Sequence, residues 1–437
     1  MLKAFRKLWN DERGNALIIA GASLPMIMGA VGLASDTIQW ALWKRELQRA
    51  ADSAAIAGVY AKVQGASYSD AVTTDLARNN DITGITISTS ATSAPSTGAY
   101  TSDANAVRVS LQARQQLSFS SMFMSSAPTI TATATATIVP SGDYCVVSLE
   151  NTAVTGITIG GTTQVDLGCG MITNSTSMDA AVAFGTSDVD ASPIAAVGGI
   201  DANDNWDDDT QLLPFTLAQQ DPFKNINPPT PSGCQRFNDY LPAGQSNNNN
   251  GTVDLTTVHA AGGVYCIKEN GGTPAQLQIQ GDVTLGPATY VFDSTSLKMT
   301  TGGGSLHCNG CTIILTSSTA ATDPSSIGGV DLQGGEIDLI APSTGTYKGI
   351  AIYQDRRASG SGSSTNIING NSSSSFQGAF YFPSQEFSFA GNAGMSTECV
   401  QMVARRVTFT GTSAISNTCP AGSGASSFAG QAVRLVE

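Results

Sequence analysis

The 437-residue chain is short of charge and of large side chains. Asp, Glu, Lys and Arg make up 13% of it and aromatics 7%. That excludes a bundle of solvent-facing helices, and it excludes ordinary disorder, which relies on charge for solubility. Only two histidines occur, His259 and His307. No Gly-x-Ser-x-Gly elbow and no phosphate-cradling Gly-x-x-x-x-Gly-Lys loop is present, which removes the common hydrolase and nucleotidase signals. No cysteine precedes Cys145. Basic residues are concentrated near the N-terminus of a chain whose net charge is -13. The remainder is therefore more acidic still, which argues against nucleic acid as a partner. What is left is a lean chain rich in Gly, Ser, Thr and Ala, a composition that suits many short strands with tight turns.

One uncharged run stands out, Ala16 to Ser35 (ALIIAGASLPMIMGAVGLAS). As a helix rising about 1.5 Å per residue, it matches the roughly 30 Å hydrocarbon of a bilayer. The arm 1–15 carries Lys3, Arg6, Lys7 and Arg13 against Asp11 and Glu12. On the far side, Lys44, Arg45 and Arg49 lie farther off and are offset by Asp36 and Glu46. This balance favours the N-terminus inside. Trp9 on one side and Trp40 and Trp43 on the other suit the two interfaces, and Pro25 is expected to kink the span. A cleavable signal peptide ending near Gly32 to Ala34 is the competing reading. Against it, helical spacing continues past the exit: Trp40, Trp43, Leu47, Ala50, Ala54, Ala57 and Ala61 recur at three and four residues, to about Lys62. This small-residue seam suits either docking of another protein's backbone or packing on the chain's own next strands.

The eight cysteines are Cys145, Cys169, Cys234, Cys266, Cys308, Cys311, Cys399 and Cys419. An even number confined to the part beyond the span points to disulfides in an oxidising compartment. Their local grouping suggests 145–169, 234–266, 308–311 and 399–419.

Beyond the stalk, Tyr68–Asn80 reads as a helix. Ile82–Ser88, Val107–Leu111 and Ile130–Val139 alternate as strands, and Gln115–Met124 reads as a short strand or helix. Residues 36–140 are thus expected to form a helical stalk with a small α+β region, pilin-like by architectural analogy alone. From Ser141 the texture changes to strand, Gly corner, strand. Ile157–Ile159 leads through Gly160-Gly161 to Val165–Leu167, and Leu277–Ile279 through Gly281 to Val283–Leu285. Val330–Leu332 leads through Gly334-Gly335 to Ile337–Leu339, and Val407–Phe409 to Gly411. No single unit buries its apolar face, but stacked units do. The expectation for 141–437 is a parallel β-helix, with a β-sandwich as the alternative. Asp201–Pro231, Gln245–Gly251 and Ser359–Thr365 read as excursions from the coils.

Arg13-Gly14-Asn15, the apolar run with Leu24-Pro25, the exit Gly32-Leu33-Ala34-x-Asp36 and Leu47-Gln48-x-Ala50-Ala51-Asp52-x-Ala54-Ala55 together closely resemble the N-terminal domain of TadE/TadG-like Flp pilus-assembly proteins, of the tight-adherence (Tad) machinery. Cys145–Asn174, Tyr347–Arg356 and Gly378–Pro383 are similar to the C-terminal region of TadG-like proteins. Family members cut by prepilin peptidase carry Gly followed five residues on by Glu; here that place holds Ile19. The metal-binding Asp-x-Ser-x-Ser of some members is also missing, since Asp190-Ala-Ser192-Pro-Ile194 departs at its last position.

His307-Cys308-x-x-Cys311 suggests zinc or, more plainly, a disulfide. Asp201-Ala-Asn203-Asp-Asn205 begins like a calcium loop, but Trp206 and Leu212 stand where Gly and Glu are needed. Asp331, Asp338, Asp355, Arg356 and Arg357 read as the compact charged set of the coils, though no spacing fixes an acid–base pair. The expectation is a structural or scaffolding component of Tad pilus assembly, not an enzyme, with no cofactor, no metal and no small-molecule substrate. It sits in the bacterial inner membrane by a single pass, N-terminus cytoplasmic and body periplasmic, among other Tad/Flp assembly proteins. The alternatives are a secreted or surface β-helix adhesin and a polysaccharide lyase or hydrolase.

Overall fold

A computed structural model describes residues 12–78, 87–98, 100–117, 119–122, 124–299, 304–359, 365–391, 396–411, 414–416 and 427–437. The chain divides into two units, Met1–Val139 with Val433–Glu437, and Pro140–Ala432.

In the first unit a 52-residue helix, α1 (Glu12–Val63), continues through Pro25. A short helix, α2 (Tyr68–Arg78), follows. Strands β1 (Ile87–Ser93), β2 (Val107–Arg114) and the first part of β3 (Thr129–Ser148) form an antiparallel sheet in that order. The expected strand from Ile82 lies outside the described residues as far as 86. Gln115–Met124 contains a single 3-10 turn, Ser120–Met122, with 118 and 123 outside the described residues. Period-two alternation puts Val107, Val109, Leu111 and Ala113 on one face of β2. Ala132, Ala134 and Ala136 of β3 share that face, and α1 covers it with Leu47, Ala50, Ala51, Ala54, Ala55 and Val59. Small side chains on both surfaces let helix and sheet approach closely; a Cβ on Gly58 would lie 2.9 Å from Val107 Cγ1. The β-helix, expected to run to residue 437, ends at Ala432, and Val433–Glu437 belong to this unit. Thr135 donates to the Glu437 carbonyl (2.7 Å), Val436 N–H donates to Thr135 O (2.8 Å), and Arg108 pairs with the Glu437 carboxylate.

The second unit is a three-faced parallel β-helix; every described ladder in it is parallel, which removes the sandwich. One face stacks Val264–Ile267, Thr289–Asp293, Thr312–Thr316, Ile350–Gln354, 379–382 and 400–404. The second stacks Ala275–Ile279, Thr295–Met299, Val330–Gln333, Thr365–Asn369, 386–391 and 407–411. The third stacks Thr252–Asp254, Asp282–Leu285, Ser305–Asn309, Ile337–Ile340 and 375–377. Apolar side chains alternate inward to one continuous core that includes Phe376, Phe380, Phe382, Phe387, Phe389 and Phe409. The Gly corners are sterically required. Gly161 and Gly185 have φ of +86° and +83°, and a Cβ on Gly185 would sit 2.7 Å from the Gly161 carbonyl oxygen.

The coils do not stack in chain order. Above 402–404 comes the second half of β3, with Met402 opposite Val146. It is followed by Gly170–Thr173, Ile194–Ala196 and Leu212–Leu213. Above 407–409 come Ile157–Ile159 and Ala181–Ala183, and above Ala414–Ser416 come Gln164–Asp166 and Asp188–Asp190. The chain therefore enters midway along the stack and winds to one end. It then crosses back through 214–251 and winds from the other end to meet its own first coil. The crossing seals the outside of the first face. Phe223, Ile226 and Leu213 pack on a second apolar cluster that includes Tyr144, Val147, Ile314, Tyr353, Tyr381 and Val403.

Candidate functional site

Helix α1 changes character along its length. Ile19, Leu24, Met26, Ile27, Met28, Val31 and Leu33 are exposed, Met26 at 78%. Among the described residues this is the one helix long and apolar enough to cross a membrane. Past Ser35 the helix turns its small face inward. Of the predicted seam, Trp43, Leu47, Ala50 and Ala54 are buried, and Trp40, Ala57 and Ala61 are half-buried. Leu47, Ala50 and Ala54 pack on the unit's own sheet, so this stretch is not open for another protein's backbone. The spacing missed Ala51, Ala55 and Val59, which are equally buried. They lie on the flank of the stripe and share the cluster to which α2 contributes Val72. Polar rims fix the register: Lys44 Nζ donates to Thr131 O, Gln48 Nε2 donates to Thr133 O (3.0 Å), and Lys62 Nζ donates to Ser93 Oγ.

In the second unit the structure bonds Cys145 to Cys169, Cys234 to Cys266 and Cys308 to Cys311. The suggested partner of Cys399, Cys419, lies outside the described residues. The first bond staples adjacent coils. The second pins the end of the crossing to the outermost coil, where Gln235 N–H donates to Cys266 O and Lys268 N–H to Gln235 O. The third takes both sulfurs away from any zinc site at His307.

The charged residues read as one compact set are dispersed. Asp331 pairs with Lys298 (3.2 Å). Asp355, 1% exposed, is clasped by Arg357 through Nε (3.0 Å) and Nη2 (2.6 Å), and by Thr316 Oγ1 (2.7 Å). Burial alone would raise the Asp355 carboxyl, but the Arg357 and Thr316 hydrogen bonds and the Arg357 charge hold it below the ordinary carboxylate value. Arg356 faces the crossing segment and donates to the carbonyls of Lys224 (2.5 Å), Phe223 (3.0 Å) and Ile226 (2.9 Å). Tyr353 OH donates to Ile226 O (2.7 Å) and Tyr381 OH to Asp221 Oδ2 (2.7 Å). Burial, chiefly, pushes the Tyr353 hydroxyl up to about 12, so it remains a donor at neutral pH. Sequence reasoning did not assign this fastening role.

Asp338 meets His307 Nδ1 at 2.7 Å, and His307 Nε2 lies 3.0 Å from Ser305 Oγ. These are the distances of a Ser-His-Asp relay. However, Ser305 Oγ donates to Asp282 Oδ1 (3.0 Å). The strand N–H groups that would stabilise an oxyanion are also spent, Ser305 on Gly281 O and Leu306 on Glu336 O. With Glu336, His307 and Asp338 form the one cluster among the described residues with metal-ligating atoms within 4.8 Å of one another. His259 is buried, stacked on Tyr265 at 3.6 Å, and burial lowers its pKa. In the calcium-like loop, Asn203 Nδ2 caps Ala183 O (2.8 Å) and Asn205 Nδ2 caps Ser187 O (2.8 Å). Trp206, 6% exposed, joins the core there. The side-chain nitrogens of Asn203 and Asn205 thus help close the last coil.

Residues 14–64, which are nearly all of α1, match the family model for putative Flp pilus-assembly TadE/G-like proteins. No curated protein and no solved structure matches the chain. The second unit lies outside the matched residues.

Proposed function

We propose that the chain is a structural, non-catalytic component of Tad (Flp) pilus assembly. It is anchored in the bacterial inner membrane through residues 16–35, with its N-terminus in the cytoplasm and its β-helix in the periplasm. The observation that carries this is the coincidence of the TadE/G-like match with the apolar helix Ile19–Val63. The basic arm supports the orientation, and the disulfides support an oxidising compartment. The pairing of Asp331, Asp355, Arg356 and Arg357 within the fold supports a scaffold rather than a reaction site. Because the chain's own sheet fills the seam of α1, contact with assembly partners falls to faces the helix leaves exposed.

The test combines fractionation, intact mass and piliation in the bacterium that makes the protein. Full-length chain in the inner-membrane fraction is expected, with loss of Flp pili on deletion and recovery on complementation. A mature chain starting near Ser35 in the medium, or unchanged piliation after deletion, refutes the proposal; the first result favours a secreted adhesin or polysaccharide-acting protein.

A further inference from the structure

The segment between β2 and β3 carries no charged residue from Gln115 to Thr129. It is folded on itself: Ser121 N–H donates to Leu117 O (2.9 Å), Met122 N–H to Phe119 O (3.1 Å) and Met124 N–H to Ser120 O (2.8 Å). It is also fixed to α1 at two levels. Ser120 N–H donates to Asp36 Oδ2 at 2.6 Å, and Asp36 is only 5% exposed. One turn closer to the N-terminus, the Phe119 ring lies on Gly32, filling the place a Cβ would take. Away from these anchors the segment presents apolar side chains to the surroundings: Met122 is 75% exposed, Phe119 44% and Met124 40%. Exposed large apolar groups on a charge-free turn lack an explanation in water.

The helix supplies one. The uncharged run ends at Ser35, so Gly32 lies about 4.5 Å inside that end at about 1.5 Å per residue. A group held against Gly32 is level with the outer margin of the hydrocarbon, not with the solvent beyond it. We propose that the turn around Phe119, Met122 and Met124 is a second membrane contact, inserted into the outer-leaflet interface beside α1. The occupant is lipid, because Phe119 rests on Gly32, which the exposed apolar residues Val31 and Leu33 of α1 flank. Asp36 acts as the positioning residue: it satisfies the Ser120 N–H that would otherwise enter the bilayer margin unpaired. A helix alone leaves the small α+β unit free to tilt and spin about the span. A side contact with the interface fixes which face of its sheet is turned from the membrane.

The inference rests on α1 spanning the membrane, and the test separates the two. The full chain, unreduced, carries a single fluorophore on Met122→Cys, on Met26→Cys in the span, or on Thr74→Cys on an exposed face of α2. Each is reconstituted into phosphatidylcholine–phosphatidylglycerol vesicles doped with lipids bearing a quencher either shallow or deep on the acyl chain. Residue 122 is expected to be quenched at least twofold more by the shallow quencher than by the deep one, residue 26 with the reverse preference, and residue 74 by neither. Quenching at 26 with none at 122 overturns the second contact and leaves the span standing. No quenching at either position overturns both. All three sites are exposed, and circular dichroism of each labelled chain verifies that it folds.

Discussion

The crossing segment is fastened by one cation, so Arg356→Met should free it while leaving the coils stacked. The guanidinium makes three charge-assisted hydrogen bonds to main-chain carbonyls of 223–226. Each such bond is worth about 1.5–3 kcal/mol, and they do not add. Methionine keeps most of the apolar stem, and the Tyr353, Tyr381 and Phe223 contacts remain. A net loss of roughly 3 kcal/mol in the local opening energy is therefore a fair figure, which is about 150-fold in the open population. Trypsin reads this directly. Lys224 is exposed, but its carbonyl is held by Arg356, so the bond after it is cut only from the open state. Where cleavage is slow, its rate follows that population. The expected result is a roughly hundredfold faster cut after Lys224 in the variant. The two pieces should separate in denaturant yet remain together natively, because the Met402–Val146 ladder joins them. A rate within about twofold of wild type would refute the fastening role and leave the strap to its tyrosines and apolar contacts.

Two further outcomes are expected. Leu47, fully buried under the sheet of the first unit, should cost about 2–5 kcal/mol on replacement by Ala. Hydrogen exchange should then quicken in 107–114 but not in the β-helix; unchanged exchange would mean that the seam is not a core. Glu150, 1% exposed, accepts from Arg405 Nε (3.0 Å) and Arg406 Nε (2.8 Å). Burial, the largest influence, would raise its pKa, but hydrogen bonds from Thr152 and Arg406 and the Arg405 charge together leave it lowered. A folded value below the unfolded one stabilises fully above the unfolded value of 4.5 and is lost as pH falls through the folded value. The gap in urea midpoint between wild type and Glu150→Gln should therefore be constant near neutrality and shrink below about pH 4.5; a pH-independent gap would refute the assignment.

What the sequence discloses follows from which interactions are local. Three-and-four spacing marks the buried side of α1, because a helix states its own periodicity. It does not say what the side meets, since an alanine stripe suits a foreign helix and a home sheet equally. Gly corners such as Gly161 and Gly185 disclose the coils for the same reason: a left-handed φ and a carbonyl 2.7 Å from a would-be Cβ admit little else. The stacking order is not disclosed. Val146 carries no mark that its partner is Met402, because one apolar strand edge resembles another. Asp201–Pro231 reads as an excursion because its acidic and Pro-rich composition hides Phe223 and Ile226. Their receptors, Tyr353, Arg356 and Tyr381, lie more than a hundred residues away. The charged set fails for a related reason: Asp355 and Arg357 pair with each other, whereas Arg356 between them faces the crossing segment.

The permuted order has a cost that the rest of the structure offsets. The coils built from 144–213 are made first, and they present β3 as an open edge until 400–411 arrive. Ser148 Oγ finds the Arg405 carbonyl across 257 positions of chain. Non-local parallel pairing is slow, and an unpaired apolar edge is an aggregation hazard while it waits. Three features of the native structure secure the early coils and the seam. Cys145–Cys169 ties the first two coils without needing the later half. Trp206 closes their outer end. The crossing segment, pinned at its far end by Cys234–Cys266, lies along the face where the late strands must dock and contributes Phe223 and Ile226 to a cluster that includes Tyr144, Val147, Tyr381 and Val403 from both halves. The strap is thus a link as well as a cover: it touches early and late coils alike, and Arg356 of a late coil donates to three of its backbone carbonyls.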